Sequence, residues 1–231
     1  MPRHARVVPL HCPLHVTHRG NRRAPIFVEP GSQLRYLRLL QDEAGDLGLD
    51  VWAYCLMPNH VHLIVVASDP LSLARTMHRA HGQYAQWVNA RQGWSGHLWA
   101  HRFYSAPMDD AHLWAAVRYV ESNPVRAGLT ARAEDYPWSS ARAHAWKVAD
   151  PLLAATRPFP GSISNWSAWL AREDDVSLED EIRSGTAAGL PLGHEGFVSR
   201  LEQAHGRKLT PGRRGRPRPS SGVISSSGTK T

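Results

Sequence analysis

Apolar and polar residues alternate over residues 14–18 (LHVTH), as in a half-buried strand. Residues 20–31 hold Gly, Asn and Pro and read as a loop. Over residues 32–47 the period changes. Leu34, Leu37, Leu40, Ala44 and Leu47 fall at helical spacing, with Ser32 placed to cap the start and Gly48 to stop the end. Two β-rich runs follow, residues 50–56 (DVWAYCL) and 60–67 (HVHLIVVA), and the short break Met57-Pro58-Asn59 makes them an antiparallel hairpin. A long helix is predicted over residues 72–90, with Leu73, Met77, Ala80, Tyr84 and Trp87 as its core stripe. A loop (91–97), a strand around residues 102–106 and a helix from Asp109 or Asp110 to about Asn123 complete the pattern, Pro124 ending the last. The order β-α-β-β-α-β-α matches, in its first six elements, an α+β ferredoxin-like (RRM-like) βαββαβ sandwich with an antiparallel sheet.

Beyond about residue 147 the pattern weakens. Residues 148–161 are rich in Pro and Ala and read as a linker. Residues 162–208 carry short helical patterns, such as 196–205, and read as a small helical extension. From residue 209 onward almost no apolar residue remains, so the tail is expected to be disordered and basic. The expected division is therefore a domain over 1–147, a linker over 148–161, an extension over 162–208 and a tail over 209–231.

The 231 residues suffice for a sizeable core. Net charge is +7 and the sequence pI about 9.9. Arginine supplies nearly all the positive charge, and its planar fork suits phosphate, which points towards nucleic acid. Cys12 and Cys55 lie far apart, with no zinc-type spacing. The N-terminus lacks the apolar core of a signal peptide, and no apolar run reaches the roughly 20 residues that span a bilayer. A cytoplasmic protein with no membrane partner is expected.

Two groups of residues bear chemistry. In a strand, His60 and His62 share one face and Val61 turns to the other, so two imidazoles can hold a divalent metal. In the helix after Asp110, Tyr119 and Asn123 are four apart and share a face beside the Leu113-Val117-Val120 stripe. His112 lies earlier on that side. Each group alone is more often a packing or surface arrangement. Together they suit phosphodiester transfer: a metal on His60, His62 and the Asn123 oxygen would polarise a phosphate, and Tyr119 would attack it. Tyr84 and Tyr104 are competing nucleophiles, but neither has a metal-ligand candidate four residues on, and both are better explained as packing.

At this point the sequence resembles the single-tyrosine HUH transposases, most closely the branch associated with repetitive extragenic palindromes (REP). The stretches HVTHRGNRR, AYCLMPNHVHLIVV, GHLWAHRFYS, YVESNPVRAGL and DYPWSSARAH occur in that family's order over about residues 14–144. The resemblance implies a metal-dependent DNA strand transferase and single-strand endonuclease. Tyr119 would form a 5′-phosphotyrosine intermediate, with Mg2+ or Mn2+ held by His60, His62 and Asn123. It also implies single-stranded DNA with hairpin elements as partner, bound by a monomer or a homodimer. Related transposases carry glutamine at the position of Asn123, and an aromatic residue often stands in place of Leu14.

Arg19, Arg22, Arg23, Arg75, Arg79, Arg102 and Arg126, with Arg91, are candidate phosphate contacts. Trp94, Trp99 and Phe103 are candidates for stacking on bases or for the core. In the tail, Arg214 and Arg216 flank Gly215 and could enter a narrow minor groove; that charge would add salt-sensitive affinity without serving the chemistry. Two other readings compete. A cyclic-phosphate phosphoesterase would use His15-Val16-Thr17, but the second His-x-Thr copy it needs is absent. A non-catalytic DNA-binding module derived from a transposase would keep the basic surface and dispense with Tyr119.

Overall fold

The computed structural model describes residues 5–210 apart from 158, 160 and 174. The tail beyond residue 210, with Arg214 and Arg216, lies outside the described residues. Strands β1 (Pro13–Arg19), β2 (Leu49–Met57), β3 (His60–Ala67) and β4 (Tyr104–Pro107) form one antiparallel sheet in the order β2-β3-β1-β4. Helices α1 (Ser32–Asp46) and α2 (Ser72–Gln92) pack together on one face. This is the expected ferredoxin-like βαββαβ arrangement. A further helix, α3 (Asp110–Glu121), covers the other face. Among the described residues, no helix is long and apolar enough to cross a membrane.

Strand alternation sorts the sheet residues between two cores. Leu14, Val16, Val61, Leu63 and Val65 face α1 and α2. Ile64, Val66, Cys55, Met57 and Ala106 face α3. Because both faces are covered, β2 and β3 read as almost unbroken apolar runs, and the polar residues within them stand out. A register shift between Val51 and Ala53 lets Trp52 and Ala53 both join the α3 side.

Three local details differ from the sequence pattern. Gly31, not Ser32, caps α1, because the cap residue has φ of +82°, which glycine reaches without a Cβ clash. Helix α3 stops at Glu121, and a one-turn helix α4 (Asn123–Arg126) restarts after Ser122. Pro124 interrupts the hydrogen-bond ladder but fits a first turn, where no N–H is required. Residues 150–154 are docked on β2: Tyr54 donates to Asp150 (2.7 Å), the Ala154 amide donates to the Val51 carbonyl (2.9 Å), and Leu152 and Leu153 are buried. Residues 138–140 pair with the same strand, Leu56 N–H to Trp138 O (2.8 Å) and Ser140 N–H to Tyr54 O (3.0 Å). Together they satisfy the exposed edge of β2.

The α3 side is tied to the C-terminal part by one buried carboxylate. Glu121 is fully buried; it accepts from the Ser140 hydroxyl and, at 2.7 Å each, from Trp166 Nε1 and His144 Nδ1. These partners lie in or beside α5 (Ala141–Trp146) and α6 (Trp166–Leu170). Glu121→Ala leaves the Trp166 and His144 donors without an acceptor and Ser140 with only its longer bond to the Tyr54 carbonyl (3.3 Å). Urea denaturation should show a loss of about 3–5 kcal/mol, and a loss below about 1 kcal/mol would remove Glu121 from this role.

Candidate active site

The α3 side of the sheet gathers four rings. His60 and His62 leave β3 on the same face, with ring centroids 4.8 Å apart. Register pairing puts His60 opposite Arg19 and His62 opposite Thr17 of β1. His15 of β1 stacks on His62 at 5.1 Å with an interplanar angle of 3°. Tyr119 of α3 presents its ring edge-on to both, 5.6 Å from His62 and 5.8 Å from His15. The aspartate Asp109 caps α3 by accepting from the His112 amide (3.0 Å), and Leu113, Val117 and Val120 seat the helix on the sheet.

The hydrogen bonds fix which histidine nitrogens are free. Asn59 donates its amide to the Arg23 carbonyl (3.0 Å), so its Oδ1 accepts from His60 Nδ1 (2.7 Å). That leaves the Nε2 lone pair of His60 available. His62 Nδ1 lies 2.9 Å from His15 Nε2, and His15 Nδ1 lies 2.8 Å from Thr186 Oγ1. A chain running His62 Nδ1–H to His15 Nε2, then His15 Nδ1–H to Thr186 Oγ1, leaves His62 Nε2 bare as well. Burial lowers the pKa of His60 to about 4 and of His15 to about 3, and it holds His62 well below the usual imidazole range. All three are therefore neutral at pH 7, the form that binds metal.

Asn123 sits on the next turn after Tyr119. Its Nδ2 donates to the Tyr119 carbonyl (3.0 Å) and lies 3.4 Å from that of Val120. The amide nitrogen is thereby turned to the helix, and Oδ1 is the other end of the amide. Imidazole nitrogen and amide oxygen are donor types suited to a divalent ion of intermediate hardness.

Tyr119 is 8% exposed, and burial raises its pKa, partly opposed by Arg126. The Arg126 guanidinium lies 4.5 Å from the Tyr119 ring centre and donates to the Tyr119 carbonyl and to Glu179 (2.7 Å). Glu179, Ile182 and Thr186 belong to α7 (Val176–Ala188), which packs on α3, β4 and β1. The space left between Tyr119 and α7 measures about 30 Å3.

The other sequence candidates are dispersed. Arg19, Arg22 and Arg23 lie at the His60 end of β1, exposed. Arg75 and Arg79 are on α2, across the sheet; Arg79 pairs with Glu43 (3.4 Å), and Arg91 pairs with Glu29. Arg102 lies beside β4. His112 is held by Asp109 (2.7 Å) and Glu181 (3.5 Å), two turns before Tyr119. Tyr84 is buried and donates to the Ile26 carbonyl (2.9 Å), while Tyr104 is 44% exposed because β4 is an edge strand, not packed as its apolar neighbours suggest. Trp99 is buried against His18 and His81, Phe103 lies under Arg6, and Trp94 is 49% exposed.

Sequence reasoning gave Asn59 and Thr186 no role and met His15 only in the phosphoesterase reading. Alternation in β1 places His15 opposite Leu14 and Val16, but its contact with His62 depends on strand pairing. Thr186 comes from a distant helix and carries no sequence signal.

The family described as IS200-like transposase matches residues 10–123. No curated protein matches the chain. Among solved structures, one of a REP-associated tyrosine transposase bound to a REP hairpin aligns with a TM-score of 0.52 at 19% identity, covering 71% of this chain and 99% of that one. A candidate transposase from Deinococcus radiodurans R1 aligns with a TM-score of 0.37 at 18% identity, over 55% of this chain and 92% of that one.

Proposed function

We propose, from the match of residues 10–123 to the IS200-like transposase family, that the chain belongs to that family and cleaves and rejoins single-stranded DNA through a Tyr119 phosphodiester. The observation that carries the reading is the pair of Nδ1 hydrogen bonds on His60 and His62. They leave two Nε2 atoms bare on histidines of one sheet face, and the His62 ring lies 5.6 Å from that of Tyr119. His60, His62 and the Asn123 oxygen would hold Mg2+ or Mn2+. Such an ion, when bound, supplies Lewis-acid polarisation of the phosphate and charge that favours tyrosinate. The Tyr119 oxygen attacks phosphorus, the bond to the 3′ oxygen breaks, and that oxygen leaves as a 3′-hydroxyl. The 5′ phosphate stays on Tyr119, so the bond energy is conserved for rejoining. Arg126, over the ring, favours the anionic form of Tyr119 against the cost of burial.

The REP-associated neighbour is bound to a hairpin, and a hairpin flanked by single strands is the substrate class proposed here too. The test is a denaturing gel with labelled hairpin DNA from the flanks of the protein's own gene. A DNA–protein adduct that needs Mg2+ or Mn2+ and disappears with chelator is expected. Hydrolysis products without adduct would refute strand transfer. The cover that α7 lays over Tyr119 favours one second reading, a DNA-binding module without catalysis. It predicts binding to the same hairpin with neither adduct nor cleavage.

His15 is a positioning residue in this account, because it fixes the His62 tautomer. His15→Phe should weaken Mn2+ binding about 10- to 100-fold, as loss of an outer-shell partner does. Calorimetry on the purified protein measures this, and unchanged affinity would remove His15 from the role.

A further inference from the structure

Two cavities meet beside β4, and none of His60, His62, Tyr119 or Asn123 lines either. The first, about 360 Å3, is bordered by Arg6, Arg102, Arg207 and Lys208. The second, about 420 Å3, has an apolar floor of Met77, Ala85 and Leu98 and a rim of His78, His97 and His101. Arg6, Arg102 and Phe103 border both, so the two join at the guanidinium pair. Each volume lies in the range that holds a nucleotide-sized ligand.

Electrostatics at the junction is one-sided. Among the described residues, no Asp or Glu lines either cavity. Arg6 lies 3.5 Å from the Phe103 ring centre and donates to the Phe103 carbonyl (2.8 Å). Burial and the neighbouring Arg102 lower its pKa to about 10, so it stays charged at pH 7. Arg102 has no carboxylate partner among the described residues. Folding has therefore brought two guanidiniums together with no counter-ion among the described residues, a cost that a bound anion offsets. Both ends of the described chain build the cleft: Arg207 at the end of α8 (Glu195–His205) donates to the Ala5 carbonyl, which holds the segment carrying Arg6 in place.

We propose that this cleft is a second DNA contact, distinct from the tyrosine centre. A phosphodiester of a single strand lies between Arg6 and Arg102, and an adjoining unpaired base occupies the histidine-rimmed cavity. Guanidiniums match phosphate in charge and in fork geometry. The apolar floor accepts the face of a base, and the histidine rim meets its polar edge. The assignment rests on the reading that this chain acts on DNA, but not on Tyr119 being the nucleophile.

Arg102→Gln is the decisive variant, because among the described residues Arg102 makes no hydrogen bond or ion pair, so its removal spares the fold. Anisotropy with labelled oligothymidylate should give a Kd raised roughly tenfold, at an unchanged melting temperature. The slope of log K against log salt should fall by about 0.7, the share of one neutralised phosphate on a single strand. Oligothymidylate carrying 4-thiothymidine should crosslink to the peptide that spans residues 97–103. Equal Kd and equal salt slope in Arg102→Gln and wild type would overturn the proposal. It is also overturned if the variant loses affinity for thymidine monophosphate but not for the oligonucleotide, which marks a free-nucleotide site. Binding through Arg102 with no covalent adduct would keep this cleft and refute strand transfer. Adduct formation with no Arg102 dependence of binding would do the reverse.

Discussion

Tyr119→Phe should lower covalent DNA capture by about 10³-fold or more, the scale on which loss of a catalytic nucleophile is felt. The variant should still bind DNA nearly as tightly. Phenylalanine keeps the ring that lies edge-on to His15 and His62 and beneath Arg126, so the packing of α3 is retained. Only the hydroxyl goes. The check is a single-turnover assay at saturating hairpin DNA, paired with anisotropy for affinity. Wild-type cleavage by Tyr119→Phe would mean that water, or another residue, attacks the phosphate.

His60→Ala is expected to reduce cleavage at least about 10²-fold, as loss of a group that stabilises charge in the transition state does. The cause differs from that in Tyr119→Phe, and raised Mn2+ separates the two. A site with one imidazole fewer is weakened and should regain part of its rate as the ion is added. A missing nucleophile cannot be replaced this way. His62→Ala should match the defect and also destabilise the protein, because His62 is buried and bonded to His15, whereas His60 is only partly buried and its partner Asn59 can turn to solvent. Full rescue of Tyr119→Phe by metal, or none of His60→Ala, would contradict this division of roles.

The sheet, α2 and α3 were legible because each carries a clean period, whereas α1 was legible as a helix but not in its face: Leu34 of the expected stripe is 45% exposed, and Tyr36 and Leu39 are buried instead. Leu73, Met77, Ala80 and Tyr84 repeat at helical spacing and are all buried in α2. The common face of His60 and His62 was legible for the same reason, since alternation in a strand leaves no other choice. The hydrogen-bonded row behind them was not. His15 meets His62 only through the β1–β3 register, and local sequence does not encode register between strands. Residues 148–161 read as a linker from their Pro and Ala content, yet Leu152, Leu153 and Ala154 dock on β2. An unpaired strand edge attracts whatever chain can reach it. Helix α7 shows the limit most clearly. Its stripe is weak, but Ile182 is buried in the α3-side core and Thr186 ends the histidine chain. The basic residues were legible as cations but not as a surface. Arg126 turns out to lie against Tyr119, and Arg102 joins Arg6 at the opposite edge of the sheet from β2.

The central claim is that Tyr119 is the group that takes up the phosphate, and mapping the adduct tests it most directly. Wild-type protein, Mn2+ and hairpin DNA are combined, the mixture is denatured and digested, and the peptides are sequenced by mass spectrometry. A 5′-phosphonucleotide on Tyr119, with a free 3′-hydroxyl on the released strand, is the expected result. An adduct on Tyr84 or Tyr104, or a cleaved strand with no protein attached, would contradict it.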